Sequence, residues 1–170
     1  SLKSVVNNEA ELVNRVCFVH ERFKQEALVE EFIEGREVYV GVMGNDRLQC
    51  LPAREMIWGS DVPTHARFAS YKVKWDEEYR YRWDIHNRFL PPLGKPVQQR
   101  LEVTCKDIYR CLQLNGYARI DLRLTAENEI VFIEANPNPM LASDVDFAMS
   151  AKKAGMDYPQ LIGKIIALAA

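Results

Sequence analysis

The chain has 170 residues, of which 48% are hydrophobic and 27% charged, and its 22 Lys and Arg against 24 Asp and Glu leave a formal net charge of -2. This composition predicts a soluble globular protein, and no apolar run reaches the roughly 20 residues that a membrane span needs, so we expect a cytoplasmic protein without a membrane partner. The lack of a basic excess argues against a general nucleic-acid surface.

The first part of the chain predicts one helix and three strands. Asn7 or Asn8 can cap a helix over 9–23, where apolar residues recur at helical spacing. Runs rich in β-forming residues at 27–33, 37–43 and 48–56 predict an antiparallel meander. The segment 58–95 mixes aromatic, charged and proline residues without a period, which indicates a long functional loop with room for one short strand.

The rest of the chain predicts further helices around a hairpin. Pro96 can occupy the first turn of a helix that runs to about Leu114. Two strands follow, over 117–124 and 130–135, and then a proline-rich loop and helices near 145–154 and 158–168. The four cysteines show no C-x-x-C spacing and three of them fall in predicted helices, so we expect reduced thiols rather than metal ligands. Helices mixed with antiparallel strands predict the α+β class.

The hairpin made by those two strands carries the most informative side chains. A two-residue turn at Glu127–Asn128 places Asp121 opposite Glu134 and Arg119 opposite Asn136. Because side chains alternate along a strand, these four side chains share one face of the hairpin. The other face is expected to be core, with the apolar side chains of Ile120, Leu122, Leu124, Val131, Ile133 and Ala135.

Alternation alone leaves two interpretations of the polar face open. Two carboxylates and an amide oxygen, without His or Cys, suit Mg²⁺ that is bound jointly with substrate phosphates. Alternatively the face is solvated, and Arg119 and Arg123 merely pair with Asp121 and Glu134, which contributes about 0–1 kcal/mol per exposed pair. The Asn-Pro-Asn-Pro segment that follows is a poor strand but a good rigid loop, which favours the metal site.

The pattern Arg119-x-Asp121 followed by Glu134-x-Asn136-x-x-Pro139 resembles the metal-binding signature of the ATP-grasp superfamily, and of D-alanine–D-alanine ligases in particular. The resemblance implies an ATP-grasp C-terminal lobe, an antiparallel sheet flanked by helices, with part of the central lobe. It also implies that Asp121, Glu134 and Asn136 are ligands of Mg²⁺, with Mn²⁺ as an alternative ion. Arg119 would be the catalytic residue that stabilises charge on the attacked acyl phosphate.

The run from Leu28 to Glu37 resembles the strand–turn–strand that clasps adenosine in this family. The resemblance implies that four of its residues contact ATP: Glu30, Glu31, Ile33 and Glu37. Taken by themselves, the acidic residues of this run also fit a charged edge strand that avoids aggregation.

The run from Phe68 to Trp75 resembles the family's mobile loop, which closes over the phosphates. The resemblance implies that Lys74 contacts the γ-phosphate, as both a catalytic and an ATP-binding residue. Two lysines at 72 and 74 would otherwise be ordinary solvated side chains.

The expected reaction of the parent protein is ATP-dependent activation of a carboxylate as acyl phosphate, followed by attack of an amine. Its partners would be a small-molecule carboxylate and an amine or amino acid, with a second copy of the chain in a homodimer as a further candidate. Val145 and Met140 stand where the family has a serine and a glycine that serve D-alanine, so we expect another acceptor. Asp144 and Asp146 could favour a cationic amine or could cap a helix.

The resemblance divides the chain at residue 31. Residues 1–31 would be a remnant of the central lobe, and residues 32–170 the ATP- and Mg²⁺-binding C-terminal lobe. In the family a substrate domain, a phosphate-contacting lysine and a glycine-rich loop come before the position of Ser1, and Ser1–Ser4 resemble the end of that loop. We therefore expect no ligase turnover from this chain alone. The alternative is a noncatalytic nucleotide-binding module that keeps the ATP-grasp fold.

Overall fold

The structure is a computed structural model that describes residues 4–169, so Ser1–Lys3, and with them most of the expected loop tail, lie outside it. No helix within that range is long and apolar enough to cross a membrane. The helices are α1 (Glu9–Phe23), α2 (Tyr71–Trp75), α3 (Glu77–Arg82), α4 (Lys95–Cys111), α5 (Asp146–Lys153) and α6 (Tyr158–Ala169). The strands are β1 (Arg36–Met43), β2 (Gln49–Cys50), β3 (Arg54–Ile57), β4 (His86–Phe89), β5 (Tyr117–Leu124) and β6 (Ile130–Asn136).

Contacts divide the chain into two compact units. The first holds the residues up to Glu34 together with Trp58–His86, and the second holds Gly35–Ile57 and the residues from Asn87 onward. The predicted division at residue 31 into central and C-terminal lobes stays a prediction.

The second unit is built on one sheet with strand order β4-β3-β1-β5-β6, and β2 pairs with β1 beside this path. Strand β1 is antiparallel to β2, β3 and β5, and β5 is antiparallel to β6. This sheet and its helices are the α+β arrangement that the sequence predicts.

Helix α4 covers one face of that sheet. Its buried residues Leu101, Cys105 and Tyr109 follow one another at four-residue spacing and therefore form one stripe on the helix. The stripe packs against alternate residues of β1 and β5: Val38, Val40, Val42, Ala118, Ile120, Leu122 and Leu124. Helices α5 and α6 form a second core with Met43 and Leu51, in which Phe147 and Leu161 are buried. The remaining face of β1 and β5 carries the polar side chains.

The loop of the β5–β6 hairpin contains three residues, whereas the sequence predicts two. Asn128 N–H donates to the Thr125 carbonyl over 3.0 Å, and Thr125 N–H donates to the Glu129 carbonyl over 3.0 Å. Asn128 has a φ of 63°, so it takes the left-handed conformation that the sequence assigns to it and that a three-residue hairpin loop needs. The longer loop shifts the pairing next to it by one residue.

A bulge in β6 removes that shift before the polar side chains are reached. Leu122 pairs with Phe132 but Asp121 pairs with Glu134, so Ile133 is the extra residue. The prediction that Val131 and Ile133 lie on the core face is wrong. The shifted pairing sets Val131 opposite Arg123, on the polar face. The bulge turns Ile133 outward and leaves it 49% exposed.

Three predicted segments differ from the structure. Residues 27–33 form no strand within the described part of the chain, and Leu28 is 83% exposed, since a β-rich run needs a paired neighbour to become a strand. The predicted strand over 48–56 is split into β2 and β3 around Pro52, which has no N–H to donate. The predicted loop over 58–95 contains the expected short strand, β4, but also α2 and α3, which Ser70 and Asp76 cap.

Candidate functional site

The β5–β6 pairing brings the four predicted hairpin residues together. Asp121 is the direct partner of Glu134, and Arg119 is the direct partner of Asn136. Direct partners in an antiparallel ladder lie on the same face with Cβ atoms about 5 Å apart. Asp121 is buried and Glu134 is exposed, so the pair runs from the interior of the sheet to its surface.

Arg119 and Asp121 form a bidentate ion pair at the centre of this face. Arg119 Nε lies 2.6 Å from Asp121 Oδ1, and Arg119 Nη2 lies 2.7 Å from Oδ2. Burial alone lowers the pKa of the Arg119 guanidinium, but the hydrogen bonds and charge of Asp121 outweigh it and raise the pKa above its ordinary value. The arginine therefore carries a positive charge at neutral pH.

The interpretation of a solvated face is wrong in its main feature. The Arg119–Asp121 pair exists, but the Asp121 side chain is only 7% exposed. Arg123 pairs with Glu37 on β1, with Nη2 and Oε2 2.9 Å apart, and both of these side chains are buried. A buried ion pair changes the free energy of folding by far more than an exposed pair does, and the change can stabilise or destabilise the protein.

Glu37 lies on β1, opposite Arg123 on β5. Its Oε1 accepts a 2.9 Å hydrogen bond from the Tyr39 hydroxyl. Its Oε2 is buried and, among the described residues, accepts no aligned hydrogen bond although the Arg123 guanidinium is near. The alternative of a charged edge strand is wrong for Glu37, because β1 lies between β3 and β5.

A second ion pair lies on the same face, next to β3. Arg54, the direct partner of Tyr39, donates from Nε to Asp146 Oδ1 over 3.0 Å and from Nη2 to the Asn87 carbonyl over 3.0 Å. Asn87 also donates its side-chain amide to Asp146 Oδ2. Asp146 is thus bound to β3 and β4 rather than acting as a helix cap, and the capping residue of α5 is Val145, without a side-chain hydrogen bond.

The end of β6 fixes the amide of Asn136. Asn138 N–H donates to Asn136 Oδ1 over 2.9 Å, and the Tyr117 hydroxyl donates to Asn138 Oδ1 over 2.9 Å. An amide oxygen has a second lone pair, so this bond orients Asn136 Oδ1 without excluding a further partner.

The donor set fits a magnesium ion that shares its coordination with phosphates. The described residues contain no cluster of three or more His, Cys, Asp or Glu side chains that could hold a metal by themselves. Magnesium bound with a nucleotide needs only one or two protein carboxylates, and Asp121 and Glu134 supply two hard oxygen donors in adjacent positions, with Asn136 next to them.

The remaining predicted ATP contacts lie in the first unit. Glu30, Glu31 and Lys74 are exposed and Ile33 is half-buried. Lys74 lies in α2, where the sequence predicts a loop. The two segments of this unit that resemble nucleotide-binding elements touch one another, because the rings of Phe32 and Phe68 meet edge to face with centroids 6.4 Å apart.

Two residues of the polar face, Tyr39 and Arg54, were not predicted from the sequence as site residues. Tyr39 is two positions after Glu37 and so must share its face, a signal that alternation already contains. Arg54 had no such signal, because its position on the face depends on where the split between β2 and β3 falls.

The chain resembles known proteins over nearly its whole length. Residues 3–167 match the family model described as D-ala D-ala ligase C-terminus. The chain is 30% identical to the uncharacterized protein y4sG of Sinorhizobium fredii, over 97% of the chain and 47% of that protein. It is also 30% identical to the D-alanine--D-alanine ligase of Desulforudis audaxviator, over 97% of the chain and 50% of that ligase.

A solved structure with a similar fold is also a D-alanine--D-alanine ligase. The D-alanine--D-alanine ligase of Bacillus anthracis, in a crystal structure complexed with ATP, superposes with a TM-score of 0.72 at 20% identity, over 96% of this chain and 47% of that one. The chain thus spans about half the length of the relatives it matches.

Proposed function

Since the chain belongs to the family of D-ala D-ala ligase C-terminal domains, we propose that it is the ATP- and magnesium-binding part of a carboxylate–amine ligase. In the proposed reaction a substrate carboxylate takes the γ-phosphoryl group of ATP, ADP leaves, and an amine then displaces phosphate to form an amide. The observation that carries the proposal is the register that sets Asp121 opposite Glu134 and Arg119 opposite Asn136.

Four polar residues of the β5–β6 hairpin have a proposed task. Asp121, Glu134 and Asn136 hold Mg²⁺, or Mn²⁺ in its place, which when bound neutralises charge on the phosphates of ATP. Arg119 supplies a permanent positive charge beside them. Positioning and charge neutralisation account for most of the catalysis of phosphoryl transfer, so a rigid sheet is a suitable support.

The proposed adenosine contacts are Glu30, Glu31, Ile33 and Glu37, and Lys74 is the proposed γ-phosphate contact. Glu37 differs from the others because it is only 8% exposed and is held by Tyr39 and Arg123. It would bind a ribose hydroxyl through the carboxylate lone pairs that the Tyr39 hydroxyl leaves.

The acceptor is proposed to be an amine or amino acid other than D-alanine. Val145 has no hydroxyl to bind a carboxylate, and Met140 is a bulky exposed residue where the resemblance expects glycine. Asp146 supports no preference for a cationic amine, because its carboxylate already binds Arg54 and Asn87.

The proposal is tested on the natural protein that carries residues 1–170, together with whatever sequence flanks them in its gene. ADP release is measured with Mg²⁺, ATP and a panel of carboxylates, amino acids and amines. Amine-dependent ADP release, with a new amide product in the mass spectrum, is the expected result. Tight ATP binding without release for any substrate pair would instead support a noncatalytic nucleotide-binding module.

A further inference from the structure

Tyr39 occupies the middle of the polar face. It lies on the central strand β1, opposite Asp121 on one side and Arg54 on the other, and is 5% exposed. A buried tyrosine combines a rigid ring with a hydroxyl that needs a hydrogen-bond partner. Both parts of Tyr39 contact charged residues that the proposed function uses.

The hydroxyl of Tyr39 holds the carboxylate of Glu37. It donates to Glu37 Oε1 over 2.9 Å in a buried position. The Arg123 guanidinium contributes charge to the other carboxylate oxygen, but without an aligned hydrogen bond. The tyrosine therefore supplies the aligned hydrogen bond that directs the Glu37 carboxylate, beside the ion pair with Arg123. Burial, and then the charge of Glu37, raise the pKa of Tyr39 well above its ordinary value, so the hydroxyl remains a donor at neutral pH.

The ring of Tyr39 supports the guanidinium of Arg119. The Arg119 Cζ atom lies 5.1 Å from the ring centroid, which is within the range of a cation–π contact. The same guanidinium binds Asp121 through two hydrogen bonds. The aromatic face and the carboxylate together leave the guanidinium little freedom.

We propose that Tyr39 is a positioning residue that holds the nucleotide-side carboxylate of Glu37 and the metal-side guanidinium of Arg119 in one fixed arrangement. This inference rests on the proposed function and adds to it a residue that touches neither ATP nor metal. A tyrosine in a central strand is suited to the task, because only two side-chain torsions have to be fixed.

Tyr39→Phe and Tyr39→Leu separate the two contacts. The phenylalanine keeps the ring under Arg119 and removes the bond to Glu37, whereas the leucine removes both. Tyr109→Phe is the matched control, since Tyr109 is 1% exposed and donates its hydroxyl to the Gly44 carbonyl over 3.0 Å on the face covered by α4. The two phenylalanine variants each lose one buried hydroxyl, so their effects on stability should be similar, whereas Tyr39→Leu also loses the buried ring and should destabilise the protein more.

The readouts are MgATP affinity by calorimetry and the Nε–Hε signal of Arg119 by NMR, both on the natural protein that carries this chain. We expect Tyr39→Phe to weaken MgATP binding about 10- to 150-fold, the cost of a lost hydrogen bond to a charged group. Tyr109→Phe should change it less than about twofold, since no site residue loses a bond. Only Tyr39→Leu should move the Arg119 signal, through loss of the ring current and the stacked geometry.

Two outcomes count against the inference, and they are distinguishable. If the wild type binds MgATP and both Tyr39 variants bind it as Tyr109→Phe does, Tyr39 has no positioning role and the proposed function stands. If the wild type binds no MgATP, the proposed function fails, and the role of Tyr39 fails with it. Because Tyr39→Phe keeps the ring, it gives a result even if Tyr39→Leu does not fold.

Discussion

Asp121 and Glu134 face each other across the β5–β6 ladder because two single-residue irregularities compensate. The hairpin loop has one residue more than a tight turn, and Ile133 adds one residue to β6 as a bulge. Between these two points every pair is shifted by one residue, and beyond the bulge the pairing is the one that a two-residue turn would give. Two carboxylates on adjacent strands thereby become direct cross-strand partners.

Replacing the two carboxylates by amides, Asp121→Asn with Glu134→Gln, should abolish Mg²⁺-dependent nucleotide binding and any turnover. The amides keep the shape of the side chains and remove both negative charges that a hard cation needs. Calorimetry with and without Mg²⁺ measures the effect, and circular dichroism reports the fold. Asp107→Asn is the control, since Asp107 pairs with Arg110 in an exposed position on α4, the helix that covers the opposite face of the sheet.

The two single variants should differ in stability. Asp121→Asn weakens a buried bidentate pair and should cost about 1–3 kcal/mol of unfolding free energy. Glu134→Gln changes an exposed residue and should cost less than about 0.5 kcal/mol. Wild-type turnover in the double variant would refute the metal assignment.

Val145→Ser should stabilise the protein and also raise the use of D-alanine. Val145 is the N-cap residue of α5 and makes no capping hydrogen bond, so a serine there should add about 0.5–2 kcal/mol of unfolding free energy. The same hydroxyl should raise kcat/KM for D-alanine as acceptor about 10- to 100-fold, the value of satisfying a buried carboxylate. Urea denaturation and a competition assay measure the two effects separately.

Val145→Ala is the control for this variant, since alanine cannot cap. The wild type should prefer an acceptor other than D-alanine when D-alanine, L-amino acids and diamines compete at equal concentration. The highest kcat/KM for D-alanine in the wild type would show that Val145 and Met140 do not set the acceptor.

Asp146→Asn should lower stability without changing the preference between neutral and cationic amines. The Arg54 side chain is 12% exposed and would lose a charged partner, at a cost of about 1–3 kcal/mol. Thermal unfolding measures the first effect, and the ratio of rates with a diamine and with an uncharged amine measures the second. A diamine preference that disappears in Asp146→Asn would show that this aspartate binds the substrate after all.

The four cysteines should react with a thiol reagent at three different rates. Cys17 and Cys111 are exposed and should react with iodoacetamide in the folded protein. Burial raises the pKa of Cys50 to about 11, so only about one thiol in a thousand is thiolate at pH 8, and the rate should rise about tenfold per pH unit up to that pKa. Burial raises the pKa of Cys105 further, and this thiol should react only on unfolding. Mass spectrometry of the labelled peptides gives the four rates.

The same shifts predict a dependence of stability on pH. Both thiols have a higher pKa in the folded state than in the unfolded state, so the unfolded state releases its protons first. The contribution of these two thiols to stability should be constant below about pH 9 and should fall as the pH rises from about 9 towards 11. A Cys50→Ala, Cys105→Ala double variant should show a smaller loss over this range.

The local sequence pattern was sufficient to predict several elements of this protein. The helix over Glu9–Phe23 begins after Asn8, which caps it as expected, and β5 has the predicted bounds. The pairing of Asp121 with Glu134 was predicted correctly, although the turn that led to it was wrong by one residue. The family could also be recognised from a few polar residues at fixed spacing, because such spacing is a property of the chain alone.

Only the tertiary structure decided which residues pair with which. A strand exists only where a neighbour accepts its hydrogen bonds, so residues 27–33 remain without regular structure while the equally β-rich 36–43 becomes the centre of the sheet. Ion pairing is likewise set by the distance between atoms in space. Arg123 binds Glu37, far away in sequence, and Tyr39 lies under Arg119 because β1 pairs with β5.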